Sequence, residues 1–416
     1  MKILLATYWV LPHLGGVWPF MTQMKRKLEE QGHTVDILGH SQDMESFHLL
    51  TRDEHFRKDW VMPVLNAKLS PEQVPNIYIH DFVKDYELYR YCMELAAGYF
   101  NVGQYDLIHT QDVISTLALN RVRPQHVPLI ASIHGSFTSE IGELLRYTTD
   151  GSPEKNRQAQ LAEQYFYALE REGASAGDVT VCSTFWMKKL LTDRYAIPDQ
   201  QFAVFPYGLD TDTFYKTGTS SVERDYGKKV IVYTGRLHRY KGVHLLLDAL
   251  AEVKQYRNDW VCWIAGEGAE EDILRAQAKE LGIAGDVRFL GKVEGIADLL
   301  HKADMYVLPT LNDNMPFSIM EAQMAGLPAI VSNAGGLPEM VSHGETGLIF
   351  SNGDTAGLRN HLLHLLEDDA YRAALGRQAK QSAQVKWSLD TMIGKFMSLY
   401  SQELVKKGRS MEGGLR

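Results

Sequence analysis

Asp313 and Glu321 are the residues of this chain whose types and spacing most clearly invite chemistry. They stand 321 − 313 = 8 positions apart. Asp313 lies in a polar cluster, Asn312-Asp313-Asn314, and Glu321 sits among Met320, Ala322 and Met324. With the first in a loop and the second inside the following helix, both carboxylates can face one crevice and serve hydroxyls, as in a sugar or a ribose. Between them, Met315-Pro316-Phe317-Ser318 opens that helix, where unpaired N–H groups and the helix dipole favour an anion. A second group is Gly235-Arg236-Leu237-His238-Arg239-Tyr240-Lys241-Gly242. Arg236 can engage two phosphate oxygens at once and Lys241 supplies a compact charge. Beside a helix start, the two would offset a diphosphate's charge without a metal. His134, followed by Gly135, stands at a strand end. Gly15-Gly16 forms a turn that allows close approach to the backbone. The alternatives are a solvated basic loop, a helix-entry turn and a structural histidine.

The elements that must position these residues alternate strand and helix. In the first half, strands are expected at Lys2 to Val10, Val35 to Leu38, Asp106 to Thr110, Leu129 to Ile133, Asp178 to Cys182 and Phe202 to Phe205. Helices are expected over Trp18 to Glu30, Asp85 to Phe100, Ser139 to Tyr147, Asn156 to Glu172, and Thr184 to Tyr195 with Thr184 as cap. Residues 40–80 read as irregular and charged, and 216–228 as a polar linker. The second half repeats the alternation. Its strands are Lys229 to Thr234, Trp260 to Ala265, Val287 to Leu290, Met305 to Leu308, Ala329 to Ser332 and Leu348 to Phe350. In the helix after Asp313, Pro316 suits the first turn and Gly326 the C-terminal cap. His361 and His364, one helical step apart, read as surface residues. Trp387-Ser388 begins a last helix that runs into a Lys, Arg and Gly-rich tail. Two such series predict two doubly wound α/β domains, in which ligands bind at the carboxyl ends of the strands.

The stretch from Asp313 onward resembles the donor-sugar motif of the retaining glycosyltransferases of family 4. There an acid-x7-acid pattern is followed by Ala-Met-Ala-x-Gly and a Gly-Gly-x-Pro-Glu turn. Here Asp313 stands where many members have Glu, Gln323 lies between Ala322 and Met324, and the turn is Gly335-Gly336-Leu337-Pro338-Glu339. Gly-Arg-Leu-x-x-x-Lys-Gly at 235–242 is similar to the family's phosphate site. Tyr207-Gly208-Leu209-Asp210 resembles its hinge entry, with Tyr207 in place of Asn. The resemblance implies the GT-B fold, with an interdomain cleft. The first Rossmann-like, acceptor-side domain would cover 1–208, the donor domain 209–387, and a crossover helix at 388–408 would pack back on the first. It implies transfer from a nucleoside-diphosphate sugar to a hydroxyl with retained configuration, by front-face attack with the departing phosphate as base. Arg236 and Lys241 would hold the diphosphate together with Gly15 and Gly16. Asp313 would orient the sugar and Glu321 the ribose. His134 would face the donor sugar, and the backbone around Val293 the base. Asn314, Met315, Pro316, Phe317 and Ser318 would line the donor.

Composition bounds the rest. The chain has 416 residues, 45% hydrophobic and 23% charged, with a formal net charge of −9. That length exceeds one ordinary core, and the acidic balance argues against nucleic acid. Cys92, Cys182 and Cys262 show no metal spacing and suit a reducing compartment. The apolar start reads as a buried strand, not a leader, and no run approaches a membrane span. A cytoplasmic enzyme is expected. Trp18, Phe20, Lys25, Arg26 and Lys27 could make a membrane-facing helix, or an ordinary amphipathic one. No metal or cofactor is expected, and Asp210 with Asp212 is not read as a metal pair. UDP is the favoured donor base, and a cell-surface polysaccharide or glycoconjugate the favoured product. A nucleotide-sugar epimerase and an inactive nucleotide-sugar-binding partner remain the alternatives; a pyridoxal-dependent phosphorylase is disfavoured, because no Lys is singled out for an aldimine.

Overall fold

The structure, a computed structural model, describes residues 1–12, 15–147, 149, 151–216 and 218–408. Leu14 of the first turn, residue 217 of the expected linker and the tail from 409 lie outside the described residues. The chain divides into two compact units. The first contains 1–183, 187–205 and the chain from Ile393, and the second contains 184–186 and 206–392.

The first unit is built on strands β1 (Lys2–Val10), β2 (Thr34–His40), β3 (Ser46–Leu49), β4 (Glu54–Arg57), β5 (Leu107–Thr110), β6 (Leu129–Ile133), β7 (Val179–Cys182) and β8 (Phe202–Val204). Their order is β4-β3-β2-β1-β5-β6-β7-β8. All pairs are parallel except β2–β3 and β3–β4. The helices are α1 (Val17–Glu30), α2 (Met62–Lys68), α3 (Asp81–Tyr99), α4 (Val113–Val122), α5 (Phe137–Tyr147), α6 (Pro153–Ala176) and α7 (Phe185–Tyr195). The parallel strands are buried on both faces, so they read as continuous apolar runs such as Ile3-Leu4-Leu5-Ala6.

Residues 40–80 are not irregular. They hold the β3–β4 hairpin and α2. Phe47, Leu49 and Phe56 face inward, and His48 pairs across the hairpin with His55. The turn is fastened by Thr51 and Arg52, which donate to the buried Asp36 carboxylate at 2.5 and 2.7 Å. In α1, Phe20 is buried, and Lys25 and Arg26 are paired with Glu29 and Glu30 one turn on. Phe20 is thus spent in the core, and the helix is an amphipathic wall of the unit.

The second unit has strands β9 (Lys229–Thr234), β10 (Trp260–Ala265), β11 (Val287–Gly291), β12 (Met305–Leu308), β13 (Ala329–Ser332) and β14 (Gly347–Phe350). Its helices are α8 (Thr211–Tyr215), α9 (Val243–Lys254), α10 (Glu271–Glu280), α11 (Ile296–His301), α12 (Phe317–Ala325), α13 (Thr355–Glu367) and α14 (Asp369–Lys386). The strand order is β11-β10-β9-β12-β13-β14, all parallel. In unit numbering this is 3-2-1-4-5-6, the dinucleotide-fold order, whose direction reverses between β9 and β12. The expected linker is strapped down: Ser220 N–H donates to Asp298 at 2.9 Å, and Arg224 spans both oxygens of Asp304 at 3.0 Å. Asp210 caps α8, accepting from Thr213 N–H at 3.1 Å. His361 is half-buried rather than superficial, with Nε2 at 3.2 Å from the Ile349 carbonyl.

The last helix, α15 (Leu389–Lys406), enters the first unit from Ile393 onward. Phe396 packs on Phe20, His109 and Phe205, and the Tyr400 hydroxyl meets His109 Nδ1 at 2.7 Å. Lys407 pairs with Asp178 at 2.8 Å.

Candidate active site

The strand order of the second unit opens a crevice where β9 and β12 diverge, at their carboxyl ends. The loop after β9 carries Arg236 and Lys241, and the loop after β12 carries Asp313. The two loops are laced together. Leu311 N–H and the Thr310 hydroxyl both donate to the Tyr240 carbonyl, at 2.6 and 2.9 Å. Gly242 has φ +73°, and a Cβ there would lie 1.9 Å from the Pro309 carbonyl oxygen. Only glycine lets the loops approach this closely. On the other side, Gly335 at φ +58° lies flat against Asp313, whose carbonyl oxygen would be 1.8 Å from an added Cβ. Gly336 N–H donates to that same oxygen at 3.0 Å.

This lacing brings Lys241 and Asp313 into direct contact, Nζ to Oδ2 at 2.5 Å. Both are largely shielded, so the pair is stronger than a surface one. The other Asp313 oxygen accepts from Asn314 N–H at 3.0 Å. Arg236 is exposed and donates to the Tyr240 hydroxyl at 2.7 Å. Its own carbonyl is held by the Tyr233 hydroxyl at 2.8 Å.

Helix α12 starts at Phe317. Pro316 is therefore its N-cap, with φ −69° and ψ 130°, rather than a residue of the first turn. Proline is restricted to φ near this value and suits the position. The N–H groups of Met315, Phe317 and Ser318 find no acceptor among the described residues, leaving an open helix start. The helix ends at Gly326 with φ +87°, as its sequence predicts. Glu321 projects from its second turn. The carboxylate is shielded and has no hydrogen-bond partner among the described residues. Desolvation raises it to about 7, because nothing nearby rewards the charged form.

Other expected donor residues take different positions. The Asn314 side chain is buried and accepts from Thr184 at 2.5 Å. Met315 is buried, its Sδ 3.3 Å from Tyr207 N–H, and Phe317 stacks on the Tyr207 ring at 5.4 Å. These residues brace the loop through their side chains and offer backbone to the crevice. Val293 is half-buried in the loop after β11, just past Gly291, whose carbonyl accepts from Gly266 N–H at 2.8 Å.

In the first unit, the direction of strand order reverses between β1 and β5. Gly15 and Gly16 follow β1. Gly16 caps α1 with φ −63°, a conformation open to any residue, so its smallness rather than its freedom is what could matter. His134 follows β6, half-buried, with Nε2 at 3.0 Å from Gln111 Oε1 and its ring edge-on to Phe20. An accepting Gln111 oxygen places the proton on Nε2. His109, buried beside it and held by Ser132 and Tyr400, is pushed down to about 3 and stays neutral.

Sequence reasoning missed the tyrosines. Tyr233, Tyr240 and Tyr306 hold the Arg236 carbonyl, the Arg236 side chain and the Ser318 hydroxyl respectively, the last at 2.7 Å. Tyr240 alone could have been found, because it lies between two candidate cations. Gln323 was seen as a departure from the motif. It is buried and bridges the Trp387 indole N–H at 2.7 Å and the Met340 carbonyl at 3.0 Å, tying α12 to the chain beyond α14.

Comparison with known proteins supplies the family. Residues 219–382 match the glycosyl transferases group 1 family, and residues 14–213 match Glycosyltransferase Family 4. Curated relatives include an N-acetyl-alpha-D-glucosaminyl L-malate synthase of Bacillus anthracis, 22% identical and covering 94% of each chain. A D-inositol 3-phosphate glycosyltransferase of Corynebacterium aurimucosum is 27% identical, covering 89% of this chain and 87% of its own. Among solved structures, sucrose-phosphate synthase of Thermosynechococcus elongatus aligns with a TM-score of 0.72 at 19% identity, over 97% of this chain and 99% of its own. Anabaena HepE in complex with UDP-glucose aligns at 0.68 and 18% identity, over 97% and 100%. The strand orders, the two matched segments and these relatives agree: the chain belongs to the family 4 glycosyltransferases and has the GT-B fold.

Proposed function

We propose that this glycosyltransferase takes a nucleoside-diphosphate sugar, with UDP as the base carrier, and moves the sugar to an acceptor hydroxyl with retention of configuration. The observation that carries the reading is the partnerless Glu321 carboxylate, set in the same crevice region as two cations and an open helix start. A vicinal diol such as ribose donates two hydrogen bonds and suits such a carboxylate. A diphosphate suits Arg236, Lys241 and the N–H groups at the start of α12. That HepE was solved with UDP and UDP-glucose supports a nucleotide sugar.

The chemical problem is leaving-group departure. As the bond from the sugar to the diphosphate breaks, negative charge grows on phosphate oxygens, and fixed donors there lower the barrier. Lys241 is already immobilised by Asp313, so it is oriented before the donor arrives. As the diphosphate engages Lys241, Asp313 becomes available for sugar hydroxyls. By the family resemblance alone, Gly15-Gly16 is assigned to the donor phosphates and His134, its Nε2 proton directed to Gln111, to the sugar. The departing phosphate serves as base. The cations carry the phosphate charge, so we assign no role to a metal. The relatives are named for a malate and an inositol phosphate product or acceptor, so small hydroxyl acceptors stand beside glycans and glycolipids as substrates to test. No helix among the described residues is long and apolar enough to cross a membrane. Three free cysteines suit a reducing compartment, and on that ground we propose a cytoplasmic enzyme.

A donor screen tests this. Purified protein is incubated with UDP-, GDP-, ADP- and dTDP-sugars plus chelator, and nucleoside-diphosphate release is followed. Release from a UDP-sugar is expected. Release that needs added metal overturns the metal-free reading, and alteration of the donor without nucleotide release points to an epimerase instead.

A further inference from the structure

The β3–β4 hairpin carries a cluster that the glycosyl-transfer reading does not use. His48 and His55 are directly opposed in the antiparallel register, and Asp53 stands in the turn between the strands. The two imidazoles stack at 3.9 Å with an interplanar angle of 12°. Both present Nε2 to the same carboxylate oxygen, Asp53 Oδ1, at 3.1 Å from His48 and 3.6 Å from His55. One ligand atom from each residue lies within 4.8 Å of the others. Ligands bound at about 2.0–2.1 Å in a tetrahedron stand roughly 3.3 Å apart, close to these two separations; the His48 ring would turn out of the stack to bring its Nε2 lone pair onto an ion in the plane of His55. The far nitrogen of His55, Nδ1, is held by the Ser46 hydroxyl at 2.9 Å. That bond fixes the ring and leaves Nε2 for a ligand, the arrangement in which metal-binding histidines are oriented by an outer partner. Asp53 adopts φ +53°, an uncommon conformation for a residue with a side chain, and it keeps the carboxylate over the two rings.

We propose that His48, Asp53 and His55 bind a divalent transition-metal ion of the zinc class, with solvent completing its coordination. Two imidazoles and one carboxylate are the donor set of such ions and not of calcium or magnesium, which take oxygen ligands. The site is a clasp on the fold and not part of the transfer chemistry. Leu50 N–H bonds to the Ile37 carbonyl, and Thr51 and Arg52 reach Asp36. The turn therefore lies toward the amino ends of β1 and β2, away from the strand ends that carry Gly15, Gly16 and His134. The ion would join β3 to the edge strand β4, beyond which the sheet has no further neighbour.

The test uses the full chain stripped with chelator and titrated with zinc chloride by calorimetry, with cobalt chloride absorption as a second probe. One equivalent is expected to bind, and bound zinc raises the melting temperature, as any ligand of the native state does. His55→Gln and Asp53→Asn, the latter tolerant of the same turn, are expected to weaken that equivalent by about tenfold or more, on the scale of losses at metal sites. Circular dichroism checks that both variants fold, and their nucleotide release in chelator stays at the wild-type rate. No bound equivalent in the wild-type chain, or binding unchanged in both variants, overturns the site. Neither result bears on the donor screen.

Discussion

Lys241 has two partners to serve, a carboxylate before the donor arrives and a diphosphate after. Replacing it by Met leaves Asp313 shielded and unpaired, at a stability cost of about 1–3 kcal/mol by analogy with other shielded ion pairs. Turnover should also fall by about a hundredfold, the scale of losing one fixed donor to a developing anion. Denaturant melts and nucleotide release measure the two, and unchanged turnover would remove Lys241 from the phosphate. Glu321 gives a pH signature. Its folded-state pKa is raised to about 7, so the folded chain binds that proton more tightly than the unfolded chain. The associated stability is fully present below the ordinary glutamate range and is lost as pH rises through 7. Glu321→Gln should therefore stabilise the free protein by about 1–3 kcal/mol at pH 8, with no gain at pH 4, while losing nucleotide affinity. In the wild type, nucleotide binding should weaken about tenfold from pH 8 to pH 6 as the carboxylate protonates. A flat profile would take Glu321 off the ribose. Lys241 was legible because it stands at a strand–helix junction, and Glu321 because an acid stands out among the apolar residues of its helix. Tyr233 and Tyr306 were not, because a tyrosine in an apolar strand reads as core until the fold shows what its hydroxyl reaches.

The loops are as specific as the residues they carry. Gly335→Ala places a methyl group against the Asp313 backbone in a left-handed conformation, and should cost about 2 kcal/mol or more together with much of the nucleotide affinity. Gly282 is the control. It has φ +69° with nothing within 4 Å, so Gly282→Ala should cost only about 1 kcal/mol of backbone strain and leave nucleotide binding intact. Equal effects on binding would mean that the Asp313 loop tolerates displacement. Gln323→Leu strands the Trp387 indole N–H and the Met340 carbonyl, and should cost about 1–3 kcal/mol in a thermal or denaturant melt. Most elements could be read from the chain, since parallel strands leave continuous apolar runs and Gly326 ends α12 as glycine should. The β3–β4 hairpin escaped notice because its strands are four residues each and its turn contains no glycine to announce it. The linker escaped as well: a polar run looks loose until its tethers, Asp298 and Asp304, are placed beside it.

Strand order was beyond the sequence, because alternation predicts a doubly wound sheet without saying where its direction reverses. The return of the last helix to the first unit was implied by family resemblance alone. His109 and Tyr400 are 291 residues apart, and such a contact leaves no periodic trace. Tyr400→Phe should cost about 1–2 kcal/mol by leaving His109 Nδ1 unpaired in the core. A chain cut after Met392 should lose the cooperative melt of the first unit, because Phe20, His109 and Phe205 lose the ring of Phe396. An intact melt would show that the helix is dispensable. The same feature sets a timetable for synthesis. Residues 206–392, a stretch of 392 − 205 = 187, must be translated between the body of the first unit and the helix that completes it. At ordinary elongation rates that is a delay of about 10–40 s. For that interval the nascent first unit carries an open apolar seam, so the ribosome-bound chain, rather than the finished enzyme, is the form most exposed to chaperones and aggregation.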